Sequence, residues 1–139
     1  MLASNRGIAY ANTGDYDRAI ADYTRAIELS PNDADAYNNR GVAYANKGDD
    51  DRAIADYNKA IELNPQDPDA YANRGIVHRH KGDYDRAIAD YSKAIELNPQ
   101  YADAYYNRAI AYQHKGDNDR ATADANRAIA LDPTKPPLS

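Results

Sequence analysis

The chain has 139 residues, a formal net charge of -5, no Cys, Phe or Trp, 13 Tyr, and 42% hydrophobic residues drawn mostly from Ala, Ile and Tyr. Without Cys there are no disulfides or thiolate metal sites, and no apolar run approaches the roughly 20 residues of a membrane span. The acidic balance argues against binding the phosphate backbone of nucleic acid, and the apolar mixture suits thin layers of helices packed through small side chains.

The first predicted element is a helix that runs to Gly14-Asp15, and a second runs on towards Pro31. The pattern then repeats. Gly7, Gly41 and Gly75 are 34 residues apart and the next step lands on Ala109; Pro31, Pro65, Pro99 and Pro133 keep the interval, as do Ala19, Ala53, Ala87 and Ala121. Three residue classes on one period without an insertion define four units, 1–33, 34–67, 68–101 and 102–133, with an extended segment 134–139 after them.

In the second unit, "DAYNNRGVAYANKG" and "DDDRAIADYNKAIELNP" read as two helices joined at Gly48-Asp49. Tyr37, Val42, Tyr44 and Ala45 give the first an uneven apolar stripe. Ala53, Ile54, Tyr57, Ala60, Ile61 and Leu63 give the second a clearer one. Gly48 can end the first helix in a left-handed conformation, and Asp49 can cap the second. Gly41 and Ala53 are small enough for close approach, so Gly41→Leu is expected to cost about 1–3 kcal/mol through overpacking.

The third unit opens with Asp67 as a cap and Pro68 at the first helical position, and it turns at Gly82-Asp83. The fourth turns at Gly116-Asp117 and then departs from the pattern: Ala125 replaces the Tyr of positions 23, 57 and 91, and Thr122 replaces the Ile of 20, 54 and 88. This loss of bulk agrees with an array that ends. "DPTKPPLS" offers no capping helix, Pro136-Pro137 favours an extended course, and Ile129 and Leu131 are expected to be partly exposed as an assembly surface.

On Tyr37, Gly41, Tyr44, Ala53, Tyr57, Ala60 and Pro65, with their counterparts in the other units, the chain resembles the tetratricopeptide repeat family over about residues 1 to 133. The resemblance implies an all-α, right-handed solenoid of antiparallel helix pairs, with the first helix of each unit lining the inner surface. One departure recurs. Where the family usually has an apolar side chain, this chain has Arg6, Arg40, Arg74 and Arg108. These recur in step with Asp22, Asp56, Asp90 and Asp124, so partly buried ion pairs between neighbouring helices are expected, with the Arg stems filling the space of a Leu. The competing reading is an arginine ladder for acidic ligands.

On the inner surface so implied, Asn5, Asn39, Asn73 and Asn107 form a row beside Ile8, Val42, Ile76 and Ile110. Asp35, Asp69 and Asp103 form an acidic margin near the helix starts, where they also suit the helix dipole. An amide side chain donates and accepts, so an Asn row can hold an extended peptide backbone without demanding one sequence. The row is similar to the asparagine ladder in the repeats of O-linked N-acetylglucosamine transferases, whose catalytic portion has no counterpart here. A solvated face copied from one unit is the alternative. Tyr106, standing where other units have Ser4, Asn38 and Ala72, is an anchor for a partner side chain or lies over its own helix. In the carboxylate clamp of co-chaperone repeats, Asn39 has a counterpart, but Ser4, Ile8, Asp69 and Asn73 supply no basic group. A neutral or basic protein partner therefore fits better than an acidic terminus.

Candidate chemistry is sparse. His78 stands where neighbours have Tyr44 and Tyr112 and reads as a packing residue; His80 and His114 are one repeat apart and form no HExxH pair. Asp49, Asp50 and Asp51 lack the spacing of a calcium loop. The glycines never cluster into a phosphate loop. The expectation is a cytoplasmic, non-enzymatic module with no metal or cofactor, no nucleic acid and no membrane. It would bind an extended peptide or, alternatively, self-assemble through its terminal repeats.

Overall fold

The computed structural model describes residues 2–139, with side chains from Asn5 onward. Among the described residues there are eight helices: α1 (Leu2–Asn12), α2 (Tyr16–Leu29), α3 (Ala34–Lys47), α4 (Asp50–Leu63), α5 (Pro68–His80), α6 (Tyr84–Leu97), α7 (Ala102–His114) and α8 (Asn118–Leu131). They form antiparallel pairs in an all-α fold. The chain divides into two compact units, Met1–Gln66 with α1–α4 and Asp67–Ser139 with α5–α8. In the first, α1 packs on α2, α2 on α3 and α3 on α4, while α1 also touches α3; in the second, α5 to α8 repeat this order.

Local chemistry sets the helix ends. Asp15, Asp33, Asp49, Asp83 and Asp117 each accept a hydrogen bond from the backbone amide three residues on, and Asp67 accepts one from Asp69, satisfying otherwise free donors of the first turn. The start of α7 differs: Tyr101 occupies the cap position and makes no side-chain cap. Gly48 ends α3 at φ 91, where its amide donates to Ala45 O and the Asp49 amide donates to Tyr44 O at 2.9 Å. This left-handed turn carries little penalty without a side chain.

Close approach explains the small residues. A Cβ at Gly41 would lie 2.7 Å from Tyr57 Cε1, and one at Gly75 equally near Tyr91 Cε1. Each ring therefore lies flush on the backbone of the partner helix. In the first unit Ala19, Tyr23 and Ala43 join α2 to α3, and in the second Ala87, Tyr91 and Ala111 join α6 to α7. The buried members of both clusters are Ala and Tyr, with Ile20 packed against the first and Ile76 and Ile88 against the second.

The segment after α8 begins with a turn already used twice. Asn64 accepts from the Gln66 amide and Asn98 from the Gln100 amide, and Asp132 accepts in the same way from the Thr134 amide at 3.0 Å. The Thr134 hydroxyl adds a second bond to Asp132 Oδ1 at 2.6 Å. Pro137 and Leu138 then come to lie beside Thr122, Ala125, Asn126 and Ile129 of α8 around an open cavity of about 200 Å³. The reduced bulk at Thr122 and Ala125 makes room for this segment, and Ile129 and Leu131 are half-buried.

Candidate functional site

The recurrent arginines of the first helices make bidentate pairs with the recurrent aspartates of the second. Arg40 Nε donates to Asp56 Oδ2 at 2.7 Å and its Nη2 to Oδ1 at 2.8 Å; Arg6–Asp22, Arg74–Asp90 and Arg108–Asp124 repeat the arrangement. All four aspartates are buried. The remaining nitrogen reaches the preceding second helix: Arg40 Nη1 donates to the Thr24 hydroxyl and Arg108 Nη1 to the Ser92 hydroxyl, each at 3.1 Å. Arg40 also lies over the rings of Tyr37 and Tyr44, and Arg108 over Tyr105 and Tyr112.

One guanidinium thus ties three helices and rests on two aromatic faces. The Arg40, Arg74 and Arg108 side chains are only 18%, 23% and 19% exposed, against 66% for Arg6 of α1. Hydrogen bonding to aspartate raises the Arg40, Arg74 and Arg108 pKa values above the ordinary one, and bonding to Arg6 lowers that of Asp22. Guanidinium groups spent on aspartate are poorly placed to grip acidic ligands.

Asn5 and Ile8 stand on α1, and Asn39 and Val42 on α3, each pair at a three-residue spacing that shares a helix face. α1 and α3 touch, so the first unit carries two copies of this amide and aliphatic pattern on neighbouring helices. The second unit does the same with Asn73 and Ile76 on α5 and Asn107 and Ile110 on α7. Asn5 is exposed and the other three asparagines are half-buried. Ile8 is 42% exposed, whereas Ile76 packs against the Ala87, Tyr91 and Ala111 cluster.

The acidic margin is partly committed within the second unit. Asp69 Oδ1 accepts a 2.7 Å hydrogen bond from the Tyr101 hydroxyl, and Asp103 Oδ1 pairs with Lys135 Nζ. Lys135 Nζ also lies 5.8 Å from the centre of the Tyr106 ring, so the half-buried Tyr106 sits beneath a cation of the same chain. Asp35 is exposed. The Ser4 side chain lies outside the described residues.

His78 is half-buried with Nε2 3.8 Å from Asp90 Oδ2, and burial lowers its pKa below the ordinary value. His80 is exposed. His114 is exposed too and stacks on Tyr84, with centroids 5.0 Å apart and an interplanar angle of 4°. Among the described residues no group of three or more His, Cys, Asp or Glu could hold a metal ion, and no helix is long and apolar enough to cross a membrane. A shallow cavity of about 160 Å³ is lined by Gly82, Asp83, Tyr84, Asp85 and Lys115.

Sequence reasoning missed the hydroxyl partners Thr24 and Ser92, the bridges from Lys47 to Asp17 and Lys115 to Asp85, and the landing of Lys135. The signal for the bridges was present. Asp17 and Asp85 occupy one repeat position, and Lys47 and Lys115 another.

No curated protein matches the chain. Among solved structures, a crystal structure of MamA is 29% identical, covering 91% of this chain and 74% of that one at a TM-score of 0.84. A second crystal structure of MamA protein matches at 28% identity over 99% of this chain and 77% of that one, with a TM-score of 0.85. A MamA RS-1 double mutant matches at 25% identity, over 96% and 75%, with a TM-score of 0.86. Four family models, three described as tetratricopeptide repeat and one as TPR repeat, match residues 4–68, 56–89, 102–135 and 77–116. Together they run from residue 4 to residue 135 along the 34-residue period, and the chain belongs to the tetratricopeptide-repeat family.

Proposed function

We propose that the chain is a non-enzymatic protein-interaction module that binds an extended peptide or partner segment through the asparagine-bearing faces of its first helices. What supports this reading is that Asn5 and Asn39 stand on two helices of one unit that touch, α1 and α3, and Asn73 and Asn107 on two of the other, α5 and α7. Two amides at successive repeats offer donors and acceptors to alternating groups of a peptide main chain. The neighbouring Ile8, Val42 and Ile110 add apolar contact. Exposed Asp35 and the net charge of -5 favour a neutral or basic segment.

The test is a peptide-array binding assay with the intact chain and with Asn39→Ala and Asn107→Ala, each checked by circular dichroism. Loss of binding with helicity retained supports the reading. Unchanged binding in both variants rejects the role of the asparagines.

A second reading, self-assembly through the terminal repeats, is favoured by the open cavity at Thr122, Ala125 and Ile129. It requires a solution mass that rises with concentration; a constant monomer mass removes it.

A further inference from the structure

We propose that Asp103 and Tyr106 form a subsite for a lysine side chain of the bound partner, and that Lys135 occupies it as a tethered pseudo-ligand. The ammonium of Lys135 pairs with Asp103 Oδ1 while facing the Tyr106 ring, so one cation meets a carboxylate and an aromatic face together. This combination is absent where the equivalent position carries Asn38 or Ala72 in place of Tyr106. The Asp103 bond also raises the Lys135 pKa and keeps the group charged.

The segment that delivers Lys135 is held at several points. Its start is fixed by the turn at Asp132, where the Lys135 amide donates to Asp132 O at 3.1 Å. Further on, Pro137 and Leu138 rest by α8, and Gln113 Nε2 donates to Ser139 O at 2.7 Å. The course is that of an earlier linker: Lys135 is 34 residues after Tyr101, whose hydroxyl reaches Asp69 as Lys135 reaches Asp103. The third unit closes this contact with a neutral phenol from a residue at the start of α7. The fourth closes it with an ammonium from an irregular segment around a partly open cavity. Such a contact is replaceable, because the Asp103 side chain is 61% exposed and an outside ammonium can reach it.

The identity of the partner segment rests on the groove reading above, while the subsite itself does not. The probe is the peptide acetyl-DPTKPPLS-amide, with a second peptide carrying norleucine for lysine. Both are titrated by NMR into the native chain, into Lys135→Ala, and into Lys135→Ala/Leu138→Asp, which releases the segment further. The lysine peptide is expected to bind at least one released variant tenfold or more tighter than the native chain, the norleucine peptide not to bind, and Asp103→Asn in the released background to abolish binding.

Equal affinity for native and released chains, equal binding of the norleucine peptide, or no binding to any chain overturns the proposal. Asn107→Ala in the released background separates the two readings. Binding that survives this change keeps the subsite and counts against the asparagine face, whereas array binding lost in Asn107→Ala without any effect of release keeps the face and removes the subsite.

Discussion

The Arg40–Asp56 pair stands at a position where the related repeats usually place an apolar side chain, so its energetics differ from those of an exposed ion pair. Removing Arg40 alone leaves the Asp56 carboxylate buried without its partner, and Tyr37 and Tyr44 lose the plate between them. Arg40→Leu is expected to lower stability by about 3–5 kcal/mol, while Arg40→Leu/Asp56→Leu recovers most of that loss. Urea denaturation of the four species of the cycle measures the coupling, and additive single losses would show that the pair is not a unit. His78 supplies a pH dependence at the same scale. Burial lowers its folded pKa most; Asp90 and Asp83 oppose that shift, and Arg74 and Arg86 reinforce it. The unfolded chain takes up the proton near pH 6.5 and the folded chain only lower, so the contribution is present above about 6.5 and is lost as pH falls below it. His78→Tyr, which installs the residue of positions 44 and 112, is expected to flatten the fall in melting temperature between about pH 7.5 and 5.5. An unchanged slope would assign that fall to other groups.

At the scale of helices, two solutions to the same packing problem occur in one chain. The pairs α1·α2, α3·α4 and α5·α6 set a Tyr ring against a glycine: Tyr23 on Gly7, Tyr57 on Gly41 and Tyr91 on Gly75. The last pair has Ala109 and Ala125 at those two positions, both buried, so a methyl group has been added on one helix and a ring removed from the other. Ala125→Tyr alone is expected to overpack α7 against α8 and cost about 1–3 kcal/mol. Ala109→Gly in the same chain should relieve the clash, less about 1 kcal/mol of helix propensity for the glycine. Chemical denaturation checks both, and a double variant no more stable than Ala125→Tyr would rule out this compensation. The helix boundaries were legible in the sequence because they depend on neighbours in the chain: Gly48-Asp49 and Asp67-Pro68 carry their own backbone chemistry. The Arg and Asp partners were legible because both recur on the 34-residue step. Thr24 and Ser92 were not, since Asn58 and Asn126 share that repeat position, and nothing in the local sequence marks a hydroxyl there as a guanidinium's partner. Lys135 was missed for a related reason: Pro136-Pro137 announces an extended course without saying where its start lands.

Across the whole chain, charges fall into two populations that salt should separate. The four recurrent Arg–Asp pairs between helices couple buried carboxylates to guanidinium groups through paired hydrogen bonds at 2.7–2.9 Å, whereas Lys47–Asp17, with side chains 45% and 78% exposed, lies open to solvent. Screening acts over about 10 Å at 0.1 M salt and weakens exposed pairs far more than buried ones. On the proposed function, a net charge of -5 and exposed carboxylates such as Asp35 would attract a basic segment by the screened population, while the fold relies on the other. Raising sodium chloride from about 0.05 M to about 0.5 M should therefore weaken binding of a basic peptide several-fold and slow its association, with the melting temperature nearly unchanged. A fall in melting temperature in step with the loss of binding would mean that the recurrent ion pairs are screened like surface charges. Salt-independent binding would instead place the recognition in the amides and aliphatic side chains, leaving the acidic residues to their roles at the helix starts.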